Sequence, residues 1–88
     1  MKEIVICSAI IAEDDSIIRG ERHGDCLVAL RSRNKRMKKG SGHIVQGFIT
    51  STGRYVDRYE GLEIQKEAGI KSFRNKYSKD ILFSEDLY

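Results

Sequence analysis

At 88 residues the chain can build one small core and not two, so a single α+β domain spanning 1–88 is expected. Its two cysteines, Cys7 and Cys26, fall short of the four or more that a secreted domain of this length usually carries, and both lie in apolar stretches, which reads as free buried thiols. Net charge is +3 with a pI near 9.0, a mildly basic balance that leaves anionic partners open without demanding them. The apolar N-terminal run is interrupted by Ser8 and ended by Glu13 with no cleavage site after it, so neither a signal peptide nor a membrane span is expected and the localisation reads as cytoplasmic. Apolar residues make up 40% of the chain, a modest core for which self-association would add burial, so a homo-dimer or higher homo-oligomer is expected.

In chain order, residues 3–12 are rich in Ile and Val and predict a strand. Asp14-Asp15-Ser16 is a turn signal, and residues 17–21 predict a second strand that completes an antiparallel hairpin. Gly24-Asp25 opens a helix with Asp25 as its N-cap. Cys26, Leu30, Arg33 and Met37, with Leu27 beside them, carry an apolar stripe to about Met37, and Gly40-Ser41-Gly42 breaks the helix. Residues 44–50 predict a third strand, Ser51-Thr52-Gly53 a turn, and residues 54–56 a short fourth strand. Asp57 caps a second helix, Glu60 stands three residues later as in a capping box, and Gly69 is its natural stop. No element is assigned between residues 70 and 80, while Ile81-Leu82-Phe83 suits a short strand or a docked tail. This ββαββα order with a C-terminal tail predicts a small antiparallel sheet with two helices packed on one face.

No set of residues reads as a reaction centre. His23 and Cys26 form a loose H-x-x-C pair, with Cys7 and His43 scattered, whereas a zinc site draws about four ligands in tight pairs, so no metal is expected. Ser41, Ser51 and Thr52 supply hydroxyls and His23 a base, but no nucleophile-elbow pattern surrounds them. The carboxylate pairs Asp14-Asp15 and Glu85-Asp86 fall in a turn and a tail, where no dry pocket would raise a pKa. The expectation is a protein that is not an enzyme and carries no cofactor.

Binding chemistry is better represented. Lys38-Lys39-Gly40-Ser41-Gly42 superficially resembles a phosphate loop but lacks the Gly-Lys-Ser/Thr ending. Thr50-Ser51-Thr52-Gly53-Arg54, leading to Asp57-Arg58, offers hydroxyls, two guanidinium groups and a helix N-terminus, all suited to an anion. It reads equally as a polar turn followed by a helix that Asp57 already caps. In the cluster 19–25, Arg22 and His23 are candidate phosphate or ribose contacts, or else part of a helix start. Phe48 beside Gly47 is either a core residue or a stacking surface for a base. The run 31–39 holds six basic residues and no acidic one, which makes it either a solvated face or a surface for nucleic acid or an acidic partner.

Four segments carry a resemblance. Arg19-Gly20-Glu21-Arg22-His23-Gly24-Asp25-Cys26, the stretch from Gln46-Gly47-Phe48 through Val56-Asp57-Arg58, Glu67-Ala68-Gly69, and Leu82-Phe83-Ser84-Glu85-Asp86-Leu87-Tyr88 together resemble a widespread family of small phage-encoded proteins. The pattern is also similar to the Thoeris anti-defence sponges, phage proteins that sequester a cyclic ADP-ribose immune signal, with some relatives holding cyclic oligonucleotides. That resemblance implies non-destructive binding at an oligomer surface, with Phe48 stacking on a base, Arg22 and Arg58 on phosphate or ribose, and His23 in support. The alternative expectation is a phage protein that binds a host protein or nucleic acid through residues 31–39. The tail 84–88 is expected to dock on the core or on a neighbouring subunit, anchored by Leu87 and Tyr88.

Overall fold

A computed structural model describes residues 2–87 of the chain. The fold is α+β, a four-stranded antiparallel sheet in the order β2-β1-β3-β4 with helices on it. Strands β1 (Val5–Ile11) and β2 (Ile17–Gly20) form the first hairpin. Its turn is built by Asp14, whose carboxylate accepts from the Ser16 amide at 3.1 Å and hydroxyl at 2.6 Å, and by Asp15 in the left-handed region at φ 68°. The free side of β1 pairs with β3 (Gln46–Thr50), and β3 pairs with β4 (Tyr55–Val56). The register slips between Val5 and Cys7, leaving Ile6 as the extra residue of a bulge.

Strand periodicity sets the buried face. Ser8, Ile10, Ile18, Phe48 and Val56 lie on one side, because Ser8 opposes Phe48, Ile10 opposes Ile18 and Phe48 opposes Val56. Two apolar clusters form there. Helix α1 (His23–Ser32) brings Cys26 and Leu30 onto Ile10, Ala12 and Ile18. Helix α3 (Arg58–Glu67) brings Leu62 and Ile64 onto Val5, Phe48 and Val56, with Leu82 of the tail completing the cluster. Both helices therefore cover the same face, as the element order predicts. Gly61 lets α3 come close, since a Cβ there would stand 3.1 Å from the Phe48 ring and 3.3 Å from Leu82.

Helix α3 begins where expected, with the Asp57 carboxylate accepting from the Glu60 amide at 2.8 Å, a cap that contributes about 1 kcal/mol. Gly69, at φ +74°, follows its end. The first helix differs from expectation at both ends. Its N-cap is Arg22; Asp25 is its third residue, and the carboxylate reaches back to the Arg22 amide at 3.2 Å. The helix stops at Ser32 because Asn34 turns left-handed at φ 54° and the Lys35 amide donates back to the Leu30 carbonyl at 3.1 Å. Arg33 and Met37 are not on the helical stripe. Residues 36–38 run alongside the end of β1 instead, with Met37 bridged to Ala12. A single helical turn absent from the predicted order, α2 (Gly42–Val45), is capped by Ser41 and shortens the third strand at its start.

The tail docks rather than forming a strand. Leu82 is fully buried and its amide donates to the Arg58 carbonyl at 3.0 Å. A 3-10 turn (Ser84–Asp86) follows, and Leu87 packs against the core; Tyr88, the other expected anchor, lies outside the described residues. Among the described residues, no helix is long and apolar enough to cross a membrane, and no group of His, Cys, Asp and Glu is placed to hold a metal ion.

Candidate functional site

The polar residues singled out in the sequence separate into two places. The first is the β3–β4 turn. Arg54 presents a two-pronged contact to Glu3, Nε to Oε2 and Nη2 to Oε1, both at 2.8 Å, and its Nη1 donates to Glu60 at 2.7 Å. The Thr50 and Thr52 hydroxyls donate to the same Glu3 oxygen, at 2.5 and 2.7 Å, and the Ser51 hydroxyl accepts from the Ile4 amide at 3.0 Å. This turn has the chemistry of an anion cradle, and the anion it holds is the chain's own Glu3 carboxylate. Hydrogen bonds from Arg54, Thr50 and Thr52 pull Glu3 down to about 2, so it stays ionised. Thr50, Ser51, Arg54 and Asp57 thus act together to fasten the start of β1 and the start of α3. Glu3 is the partner that sequence reasoning missed, because it lies 47 residues before Thr50.

The second place is a cleft of about 440 Å³ between the start of α1, the start of α3 and the tail. Arg22, His23 and Val28 line one side, and Arg58, Phe83 and Glu85 line the other. The β2–α1 junction puts Arg22 and His23 there, and Asp57's cap fixes the first turn of α3 so that Arg58 points inward. His23 and Arg58 form one network. His23 Nε2 contacts the Gly47 carbonyl at 2.8 Å, so it must carry the proton and donate. Nδ1 is then the acceptor for Arg58 Nη2 at 3.2 Å. The guanidinium also donates to Gln46 Oε1 and to the Leu82 carbonyl, each at 3.1 Å. Burial, then the neighbouring Arg58 charge, lowers His23 to about 4, so the imidazole is neutral near pH 7. Burial also lowers Arg58, whose charge is nevertheless held by three acceptors.

Phe48 is placed differently from its expected role. It is fully buried, lying beneath the His23 ring (centroids 5.0 Å apart, edge-to-face) and against Gly61 and Leu82. It presents no face on which a base could stack, and it belongs to the core. Gly47 is required for a related reason. A Cβ there would collide with the Val56 carbonyl and the Tyr55 phenol, so the space beside it is filled by protein. The aromatic ring that does line the cleft is Phe83, with the Arg58 guanidinium 5.5 Å from its centroid and that of Arg74 5.0 Å away. The tail's apolar Ile81-Leu82-Phe83 was the available signal, but nothing local told which side chain turns inward.

His23 and Cys26 do not act as a metal pair, since both imidazole nitrogens are engaged and Cys26 is buried behind β2. Burial raises the Cys26 thiol to about 11 and raises Cys7 as well, which suits free, packed thiols.

Fold and site together define a small α+β protein with a ligand-sized cleft lined by arginine, neutral histidine and an aromatic ring. A family model described as Phage T4 y16D protein matches residues 4–88, and the chain belongs to that family. The family is one of phage proteins, and its description names no ligand. Comparison with curated proteins and with solved structures finds no match.

Proposed function

We propose that this phage protein is a non-catalytic binder that sequesters a nucleotide-type anion, of the cyclic ADP-ribose or cyclic oligonucleotide kind, in the cleft between α1, α3 and the tail. The observation that carries the reading is convergence: the adjacent Arg22 and His23, Arg58 and Phe83, from three distant parts of the sequence, line one cleft of a volume typical of small-ligand sites. Guanidinium groups suit phosphates, the Phe83 ring holds Arg58 and Arg74 over it as a cation–π wall, and Glu85 on the rim can accept from a ribose hydroxyl. His23 is held neutral with both nitrogens engaged, which favours a positioning role over proton transfer. Sequestration needs complementarity to the ligand's ground state alone.

Thermal-shift measurements with cyclic ADP-ribose isomers and cyclic dinucleotides test the proposal. A ligand at about a hundred times its Kd stabilises the fold by about 2.7 kcal/mol, a shift of several degrees in a domain this size. Arg22→Ala is expected to abolish the shift, and the ligand should be recovered chemically intact. No shift with any nucleotide, or a shift unchanged in Arg22→Ala, would refute the assignment of this cleft.

A second reading rests on a separate observation. Lys35 and Lys38 are paired with Asp14 and Asp15, at 2.9 and 2.5 Å, but Arg31, Arg33, Arg36 and Lys39 are exposed with no carboxylate partner among the described residues. Those four cations suit a polyanion or an acidic host protein. Binding through them would fall steeply with salt and would be lost on charge reversal of Arg31, Arg33 and Arg36.

A further inference from the structure

The loop after α3 contains the most exposed of the large apolar side chains described, Phe73, at 71%. An aromatic ring in water gains nothing for folding, so its setting matters. The Asn75 amide donates to the Ser72 carbonyl at 3.0 Å, which closes a β-turn with Phe73 and Arg74 at its tip. Asn75 leaves the turn left-handed at φ 76°. Lys71 and Lys76 stand immediately before and after this turn in the chain, and a β-turn brings the Cα atoms of its own ends within about 7 Å, so both lysines leave from the same side of the loop. Both lysines are exposed and have no partner among the described residues. From residue 68 to residue 79 there is no acidic side chain, against four basic ones.

The turn is held firmly. The Phe73 amide donates to the Asp86 carbonyl at 2.8 Å, and the Ser72 hydroxyl donates to the Asp86 carboxylate. Arg74 Nε donates to the same carboxylate at 3.0 Å, and Nη2 to the Ser78 hydroxyl at 3.3 Å. The Tyr77 phenol closes the far side on the Ile70 carbonyl at 2.5 Å. Asp86 is only 1% exposed. A buried carboxylate is thus committed to fixing the loop that displays Phe73, and the charge of Arg74 is answered by it. The uncompensated charge that remains around the ring is that of the lysines.

We propose that the Ser72–Asn75 turn is a binding site for single-stranded nucleic acid, with one base stacked on Phe73 and the adjoining phosphates on Lys71 and Lys76. An exposed aromatic ring on a fixed turn, with an exposed lysine on either side of that turn, meets both demands of such a strand, a face for a base and positive charge for the backbone. A duplex keeps its bases stacked on each other and offers the ring nothing. The site uses none of the residues lining the cleft of Arg22 and Arg58, which it adjoins through Arg74 and Phe83, and it stands whether or not that cleft takes a nucleotide.

Fluorescence anisotropy with a labelled oligothymidylate of about twelve nucleotides, and with a duplex of the same length, tests this on the full chain. Single-strand binding is expected to exceed duplex binding. Phe73→Ala is expected to weaken it about tenfold or more, while Phe73→Trp retains it. Lys71→Ala with Lys76→Ala is expected to flatten the salt dependence by about 1.4 in log–log slope, at about 0.7 for each lost phosphate contact. Far-UV circular dichroism should be unchanged in every variant, since these side chains are exposed. Equal binding of duplex and single strand would overturn the proposal, as would no binding at low salt or undiminished binding by Phe73→Ala. So would a Phe73→Ala protein that changes its oligomeric size, because the ring would then face a second copy.

Discussion

Acidification should weaken the fold through His23 before any carboxylate is protonated. The residue is 7% exposed, and its folded pKa of about 4 lies below its ordinary 6.5. Above pH 6.5 neither folded nor unfolded chain protonates it, and its contribution is complete. As pH falls below 6.5 the unfolded chain takes up a proton that the folded chain refuses, so stability is lost progressively until pH reaches about 4. Each pH unit within that window removes about 1.4 kcal/mol, and the whole shift is worth roughly 3 kcal/mol. Glu3 and Asp86, whose folded pKa values are lowered from 4.5 and 3.8, add their own losses only below those values. The interval from 6.5 to 4.5 therefore isolates the histidine, with an expected loss of about 2 kcal/mol, on the order of ten degrees in Tm for a domain this size. Urea denaturation followed by far-UV circular dichroism across that interval measures it. His23→Gln keeps a donor for the Gly47 carbonyl and an acceptor for Arg58 without titrating, so its stability should be flat there. A wild-type chain equally stable at both ends, or a glutamine variant that loses as much, would show that the imidazole is not held neutral.

Three further outcomes follow from the packing. Gly47→Ala forces a methyl group into the Val56 carbonyl and the Tyr55 phenol, and should cost about 1–3 kcal/mol or more; an unchanged urea midpoint would contradict that crowding. Asp86→Ala leaves the Ser72 hydroxyl and the Phe83 amide without their shared acceptor, while the half-exposed Arg74 turns to solvent, and should cost about 1–3 kcal/mol, with faster hydrogen exchange at the Phe73 amide as its local signature. Phe48→Leu should cost stability but leave any ligand-induced thermal shift intact, because the ring is sealed under His23. Loss of the shift in a folded Phe48→Leu protein would restore a ligand-facing role.

What could be read from the sequence depended on whether the deciding interaction was local. The start of α3 was legible because Asp57 caps it through the Glu60 amide three residues on, although the Glu60 carboxylate pairs with Arg54 instead of reaching back to close a capping box. The end of α1 was not. Arg33 and Met37 continue a helical spacing, and only Asn34's left-handed turn shows that the stripe stops, although an asparagine there was the available sign. Arg22, His23 and Arg58 stood out as polar residues at element junctions, and they do share a cleft. The turn residues Thr50 and Arg54 stood out for the same chemistry, yet they hold Glu3, a partner no local pattern could name. Phe48 shows a further limit: strand alternation gives the face of a side chain, while its accessibility depends on His23, Gly61 and Leu82, all distant in sequence.

The central position of β1 bears on how the chain assembles as it is made. The hairpin with β2 closes within the first twenty residues, and α1 can settle on it soon afterwards. The other edge of β1 is covered only at its far end, by residues 36–38, until β3 emerges, and Thr50 follows Ile11 by 39 positions (50 − 11), or ~2–8 s of synthesis at ordinary bacterial rates. Through that interval a row of unpaired amides and carbonyls runs beside Ile10 and Ile6, an invitation to strand pairing between nascent chains. The charged stretch 31–39 emerges inside the same interval, so neighbouring chains repel one another while that edge waits for its partner.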